Sequence, residues 1–346
     1  MPHFIAAARR SGLLVRRPVS DTALRSRAGV RRRPVRIWGI EPLEGRIVLA
    51  TITVTSLADA GPATLRAAIT QANLDTAPDT ITFAPSARGT ITLTSALPDL
   101  EHSLTIDGPG SSALTVARSD ATGTASFRIF TVPAGAEATI SGLTVTGGAG
   151  GVENDGILAL NNSVITRNMV YDGSGGGIVN QGTLTMTGST VSHNSALGSD
   201  TGGNGGGILN GGTLTIIGSS VSSNNAANSG YYNVGPAGAQ GGGIWNDGKL
   251  TIVNSTLSGN DAAGGTSTQH GGGGPGVGGA VYNSSGGKVA LINDSLVDNT
   301  AGDGSSIGGT TNPDGVGGGV YASAGGTITS VNGVFRNAQG GNVVGS

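Results

Sequence analysis

Gly205-Gly-Gly-Ile-Leu-Asn210 is followed by Gly212-Thr-Leu-Thr-Ile216 and then by Ser219-Ser-Val-Ser-Ser-Asn224, and this order of segments recurs six times along the chain. In the first four copies the two closing asparagines are 14 residues apart, whereas the gap to the next copy grows from 12 to 23 residues. A constant core with insertions at one corner is typical of a solenoid. The first asparagine column is Asn154, Asn180, Asn210, Asn246 and Asn283, and the second is Asn168, Asn194, Asn224, Asn260, Asn299 and Asn337.

Apolar residues between the asparagines also form columns, with a spacing of two inside each segment, which is strand spacing. Each copy therefore supplies about three short strands, and like side chains must stack on like side chains of the next coil to be buried. The third column ends in the last copy at Val334. The columns are Leu158, Leu184, Leu214, Leu250 and Val289; Leu160, Met186, Ile216, Ile252 and Leu291; and Ile165, Val191, Val221, Leu257, Leu296 and Val334.

This pattern predicts an all-β fold, a right-handed single-stranded parallel β-helix over residues 51–346, with regular repeats at about residues 148–340. Helical solenoids are excluded because the chain has 64 glycines, each of which costs roughly 1 kcal/mol in a helix interior. Collagen is excluded because glycine does not recur at every third position.

Both asparagine columns are predicted to lie at bends, where asparagine tolerates a left-handed backbone, and to stack into amide ladders. Glycines that follow the first column by two residues are interpreted as turn glycines. They are Gly156, Gly182, Gly212 and Gly248.

Charge divides the chain into two parts. Residues 1–50 carry eleven arginines and three acidic residues, so residues 51–346 keep eight of the 19 basic and eighteen of the 21 acidic side chains, a net charge of −10. An acidic body argues against nucleic-acid binding. The arginine-rich segment is predicted to be disordered, and its composition leaves a nucleic-acid arm, a transit peptide and an export signal open.

The end of this segment, Ile40-Glu-Pro-Leu-Glu-Gly-Arg-Ile-Val-Leu-Ala50, resembles the L-E-P-R-x-L-L motif near the start of many planctomycete surface and exported proteins, with Leu-Glu-Gly inserted. The resemblance covers about ten residues. It implies export to the cell envelope or the extracellular space.

The body begins with a strand, and Leu65, Ala68, Ile69 and Ala72 then share one face of a predicted helix that would cap the open end of the β-helix. Thr64-Leu-Arg-Ala-Ala-Ile69 resembles the S-L-R-E-A-I segment of many bacterial surface β-helix proteins. The Gly-Gly-Gly-Ile repeats with their closing asparagines are similar to those of chlamydial polymorphic outer membrane proteins. That resemblance implies a surface protein that acts in adhesion.

An enzyme of the pectate lyase or polygalacturonase kind would need several carboxylates and a base on one face. The candidates are Asp294 and Asp298, which flank a strand, and Asp303 and Asp314, which lie in loops; Lys288 and the distant Arg336 are the possible bases. Asp298 aligns with Arg167, His193, Ser223, Gly259 and Arg336 in the other copies, so its column is interpreted as solvated. No catalytic residue is assigned.

No cofactor is predicted. A calcium ion at Ala301-Gly-Asp-Gly304 stays open, although the full calcium-binding nonapeptide is absent. The four histidines and the cysteine-free composition support no other metal site.

An outward column is the candidate binding surface. It contains Trp245, Tyr282 and Tyr321, which we name the aromatic strip, and it lies beside a long loop with Tyr231 and Tyr232. In-register coils would place the three positions about 4.8 Å apart. The strip can serve as a β-ladder packed under loops or as a contact surface for sugar rings or a protein.

The sequence therefore favours a non-enzymatic, adhesin-like surface or matrix protein that binds through its loops and the aromatic strip. A polysaccharide-binding or polysaccharide-degrading β-helix is the alternative. A cell-surface glycan or protein is the expected partner, end-to-end self-association is possible, and neither a transmembrane segment nor a nucleic-acid partner is predicted.

Overall fold

A computed structural model of the chain describes residues 50–198, 203–228, 238–267, 273–306, 313–336, 340–341 and 343–345. The chain divides into residues 1–46 and 47–346. Apart from Ala50, the arginine-rich segment 1–50 lies outside the described residues. Tyr231, Tyr232 and Asn337 also lie outside them.

The described part of residues 47–346 is a parallel β-helix, so the predicted all-β solenoid is confirmed. Each regular coil contributes one strand to each of several parallel sheets, in which consecutive strands come from consecutive coils. The ten-stranded sheet contains β1 (Thr51–Val54), β2 (Asp79–Phe83), β4 (Leu104–Asp107), β7 (Glu137–Ser141), β10 (Ile157–Asn161), β14 (Thr183–Thr187), β18 (Thr213–Ile217), β22 (Lys249–Val253), β27 (Lys288–Ile292) and β32 (Thr327–Val331).

Two further sheets follow along each coil. The nine-stranded sheet contains β3 (Gly89–Leu93), β5 (Leu114–Arg118), β8 (Thr144–Thr146), β11 (Val164–Thr166), β15 (Thr190–Ser192), β19 (Ser220–Ser222), β23 (Thr256–Ser258), β28 (Ser295–Val297) and β33 (Val334–Arg336). The five-stranded sheet contains β12 (Met169–Tyr171), β16 (Ser195–Gly198), β20 (Asn225–Asn228), β24 (Asp261–Ala262) and β29 (Thr300–Ala301).

The eight-stranded sheet completes the coil and carries the aromatic strip. It contains β6 (Phe130–Val132), β9 (Val152–Asn154), β13 (Ile178–Asn180), β17 (Ile208–Asn210), β21 (Ile244–Asn246), β26 (Val281–Asn283), β31 (Val320–Ala322) and β34 (Val343–Gly345). A two-stranded sheet pairs β25 (Thr266–Ser267) with β30 (Ser305–Ser306).

The predicted capping helix is α1 (Leu65–Ala72), which packs against β1 and β2, the first two strands of the ten-stranded sheet. Its N-cap is Thr64, whose hydroxyl accepts a hydrogen bond from the amide of Ala67. The buried face consists of the four predicted residues, Leu65, Ala68, Ile69 and Ala72. They join the hydrophobic core and cover it at this end of the solenoid.

The core is formed by the predicted apolar columns, which pair in register from coil to coil. Leu214 and Ile216, for example, are fully buried, and burial of such a side chain contributes about 2 kcal/mol. The last coil departs from the prediction, because Phe335 rather than Val334 pairs with Leu296. Val334 is instead 58% exposed. The strands of this coil keep one offset of 39 residues from the preceding coil, whereas Asn337, from which the position of Val334 was counted back, follows Asn299 by 38 residues.

Left-handed backbone recurs at the corners, but the ladder asparagines that the structure describes do not adopt it. At the corner of the second asparagine column, the residue before each asparagine is left-handed instead, for example His193 with φ 56° before Asn194. The prediction that the ladder asparagines themselves are left-handed was therefore wrong. The residues of this corner are Gly147, Arg167, His193, Ser223, Gly259 and Asp298.

Asparagine side chains form two buried ladders of hydrogen bonds. In the first, each Nδ2 donates to the Oδ1 of the next coil, from Asn154 to Asn283, at 2.6–2.7 Å. In the second, which begins at Asn168, each Oδ1 from Asn194 to Asn299 accepts from both the backbone amide and the Nδ2 of the preceding asparagine at 2.9–3.1 Å. The ladders thus satisfy polar groups at two corners of the solenoid.

Candidate functional site

The aromatic strip lies on the outer face of the eight-stranded sheet. Trp245 pairs in register with Tyr282, and Tyr282 pairs with Tyr321. The rings are stacked, with centroids 6.3 and 5.5 Å apart and interplanar angles of 12° and 16°. These separations exceed the roughly 4.8 Å between strands, so the rings are offset, and a part of each stays uncovered. All three side chains are half-buried.

The strip continues an apolar column toward the N-terminal end of the solenoid. Val179 and Leu209 precede Trp245 in register and are also half-buried. A column of glycines with φ between 64° and 69° runs beside these residues. A Cβ at Gly317 would lie 2.9 Å from the Cβ of Tyr321, so glycine leaves the room that the rings occupy. The column is Gly175, Gly205, Gly241, Gly278 and Gly317.

Polar groups border the strip on both sides. The Nε1 of Trp245 donates to the Oε1 of Gln240 at 3.1 Å, which fixes the indole. At the following corner the hydroxyl of Ser284 donates to the carboxylate of Asp247. Burial raises the pKa of Tyr282, and the nearby Tyr321 and Asp247 raise it further, against a hydrogen bond from Ser323 that lowers it. The strip therefore combines apolar rings with hydrogen-bonding groups at its edges.

The acidic candidates of the enzyme interpretation do not share one surface. Asp294 is 1% exposed, while Asp298, Asp303 and Asp314 are exposed. Asp303 accepts a hydrogen bond from the amide of Gly315 at 2.8 Å within its loop. In the described part of the chain, no group of three or more histidine or acidic side chains could hold a metal ion. The described residues also contain no helix long and apolar enough to cross a membrane.

Asp294 instead closes a buried serine column that sequence reasoning did not identify. Each serine accepts at Oγ from the backbone amide of the preceding coil, and Asp294 accepts from the amides of Ser255 and Ile292, both at 2.8 Å. Burial raises the pKa of Asp294, although these two hydrogen bonds lower it. The column is Ser163, Ser189, Ser219, Ser255 and Asp294.

Replacing Asp294 by serine is expected to remove a pH-dependent loss of stability. The pKa of Asp294 is raised in the folded state, so folding favours the neutral carboxylic acid. The stability that the neutral acid contributes is lost as the pH rises from the ordinary pKa of 3.8 through the higher pKa of the folded state. Urea unfolding between pH 3 and pH 7 should show the wild type losing stability relative to Asp294→Ser as pH rises. Asp298→Ser, at an exposed carboxylate, is the control. A difference between wild type and Asp294→Ser that does not change with pH would contradict the assignment.

Sequence reasoning considered Lys288 only as a possible catalytic base and did not pair it with Lys249; the two lysines lie around the corner from the strip. Lys249 and Lys288 are exposed and pair in register at the start of β22 and β27. Threonines lie on both sides of the pair in this column, at Thr183, Thr213 and Thr327, and the column begins with Glu137 and Ile157 farther toward the N-terminal end. Alignment of the Gly-Thr-Leu-Thr-Ile segments would have revealed this pair of cations.

No protein-family model matches the chain, and no curated protein matches it. Among solved structures the chain is similar to pectate lyase Pel9A, with 16% identity, a TM-score of 0.38 and coverage of 83% of this chain and 79% of that one. It is also similar to the catalytic domain of a GH87 α-1,3-glucanase in complex with nigerose, with 12% identity, a TM-score of 0.33 and coverage of 85% and 57%. A third similar structure is ORF18 of Geobacillus virus E2, with 11% identity, a TM-score of 0.32 and coverage of 83% and 61%. The chain thus spans about three fifths of the last two proteins.

Proposed function

We propose that this chain is a non-enzymatic, adhesin-like β-helix protein that binds a polysaccharide along the aromatic strip. The observation that carries the proposal is the stack of Trp245, Tyr282 and Tyr321 over three successive coils, offset and only half-buried. Aromatic side chains with an apolar body and a polar tip are enriched where surfaces bind partners. An open strip suits an extended polymer, because successive sugar rings can contact successive side chains.

The borders of the strip support this choice of ligand. Gln240, Asp247 and Ser284 offer hydrogen-bonding groups beside the rings, as the hydroxyls of a sugar chain require. The column of glycines beside the rings has no side chains that would cover them. The surface is therefore amphipathic over several coils, which favours a glycan over a purely apolar ligand.

Export is part of the proposal. It rests on the likeness of residues 40–50 to the L-E-P-R-x-L-L motif and on the similarity of the repeats to those of polymorphic outer membrane proteins. Contacts from the loop with Tyr231 and Tyr232, and end-to-end self-association, stay predictions.

Affinity electrophoresis of the full chain through gels that contain polysaccharides tests the proposal. The wild type should be retarded, and Trp245→Ala combined with Tyr282→Ala should weaken binding about tenfold or more, since buried aromatic anchors dominate such contacts. Tyr171→Ala is the matched control, because Tyr171 is 69% exposed on the five-stranded sheet, away from the strip.

Circular dichroism would verify that each variant keeps its fold. Equal retardation of the wild type and the double alanine variant would show that the strip is not the binding surface. Release of shortened polysaccharide during the experiment would instead indicate a degrading enzyme. In that case replacement of the exposed carboxylates among the candidates, Asp298, Asp303 and Asp314, should abolish the release, since Asp294 is buried.

A further inference from the structure

Lys249 and Lys288 form an isolated pair of positive charges on an acidic solenoid. Their backbone positions pair in register on adjacent strands, which lie about 4.8 Å apart. Neither ammonium group has an ion-pair partner among the described residues, where the two salt bridges are Arg66–Asp59 and Arg128–Glu153. Two like charges side by side repel each other, so an anion bound between them would be stabilised.

The surface beside the lysines is concave. A shallow depression of about 230 Å³ is lined by both lysines and by the next outward column of the same strands, which includes Thr251, Ala290 and Thr329. Small side chains in this column leave the lysine stems and the threonine hydroxyls accessible. Lysine provides a flexible point charge with three donors, which suits carboxylate or sulfate groups.

The lysine pair lies in the same coils as the aromatic strip. Trp245 precedes Lys249 by four residues and Tyr282 precedes Lys288 by six, with one corner of the solenoid between ring and cation in each coil. The ring column and the lysine column therefore both run along the solenoid axis, one on each side of this corner. Asp247 is the carboxylate at the corner, and it is engaged by Ser284.

We propose that the polysaccharide bound by this protein is acidic, with its anionic groups held by Lys249 and Lys288 and its sugar rings placed against the aromatic strip. The inference rests on the proposed function and adds the chemical class of the ligand. The net charge of −10 over residues 51–346 repels a polyanion elsewhere on the solenoid, so charge directs such a ligand to this pair. Binding should weaken as salt concentration rises, because exposed charges are screened.

Affinity electrophoresis with four polymers tests this class. Polygalacturonate carries carboxylates, its methyl ester has the same backbone without charge, dextran sulfate carries sulfates, and dextran is neutral. The full-length wild type should be retarded most by the charged polymers. Whichever charged polymer retards the protein more strongly identifies the anionic group that the lysines bind. Lys249→Gln with Lys288→Gln should weaken that binding about tenfold, as expected for two exposed ion pairs.

A charge-matched control separates a site from general attraction. Arg88→Gln with Arg167→Gln removes two exposed positive charges elsewhere and should leave retardation unchanged. An equal loss in this control would overturn the proposed site. The proposed site would also be overturned if charged and neutral polymers retarded the wild type equally and the lysine variants had no effect. That outcome would leave polysaccharide binding by the aromatic strip intact. No retardation by any polymer would refute the polysaccharide-binding function itself, and the acidic ligand with it.

Discussion

Replacing Asn224 by leucine is expected to lower the free energy of unfolding by about 3–5 kcal/mol, since several buried polar groups lose their partners together. The side chain is 1% exposed and lies in the middle of the second ladder. Its Oδ1 accepts from the backbone amide and the Nδ2 of Asn194, both at 3.0 Å, and its Nδ2 donates to Asn260 and to the carbonyl of Val191. Leucine has a similar size but leaves these groups unpaired in the core.

Urea unfolding followed by circular dichroism measures this loss, and Asn154→Leu is the matched control. Asn154 begins the first ladder, where Val132 occupies the register position in the preceding coil. Its Oδ1 accordingly has no hydrogen-bond partner among the residues that the structure describes. We expect the control to lose less than half as much stability. Equal losses in the two variants would show that the cost comes from altered packing and not from the ladder.

The buried columns were predictable because their chemistry repeats. Leucine, isoleucine, valine and asparagine recur at constant spacing, and each type suits an environment that is the same in every coil. The register therefore followed from the sequence until the last copy. There Asn337 follows Asn299 by 38 residues while the strands keep an offset of 39, so Phe335 instead of Val334 lies opposite Leu296.

The left-handed corners were not predictable in the same way. The corner before the second ladder is formed by Arg167, His193, Ser223, Gly259 and Asp298, five residue types with no shared preference for this backbone. Their conformation is imposed by the coil geometry and by the buried asparagine that follows. The repeated asparagine is the visible feature of this corner, so the left-handed conformation was assigned to the asparagine instead of to the residue before it.

The candidate site was predictable in part. Alternation along β21, β26 and β31 placed the aromatic column outside, but the ring offset depends on side-chain packing that periodicity does not specify. Lys249 and Lys288 lie between Thr213 and Thr327 in their column, and the pair emerges only when the coils are aligned strand by strand. The serine column that ends in Asp294 was hidden because serine is equally common in exposed corners.

Gly248→Ala is expected to destabilise the solenoid by about 3 kcal/mol, since the added methyl group has no space between the coils. A Cβ at this position would lie 1.9 Å from the carbonyl oxygen of Gly212 in the preceding coil. The same oxygen accepts a hydrogen bond from the amide of Lys249 at 2.9 Å, so it cannot move aside without weakening the ten-stranded sheet. The backbone of Gly248 is not left-handed. This glycine column does lie at the corner between two strands, as interpreted, but glycine is required there by the close approach of the coils and not by a left-handed backbone.

Gly286→Ala is the matched control for this prediction. Gly286 lies at the same corner in the next coil, its backbone is not left-handed, and the nearest atom to an added Cβ is the side-chain Oδ1 of Asp247 at 3.2 Å. Because a flexible side chain can turn away while a carbonyl in a sheet cannot, the control should change stability by no more than about 0.5 kcal/mol. Thermal unfolding of both variants measures the difference. If Gly248→Ala were tolerated as well as the control, adjacent coils could separate locally, and the contact between Gly212 and Gly248 would not hold the spacing of the stack.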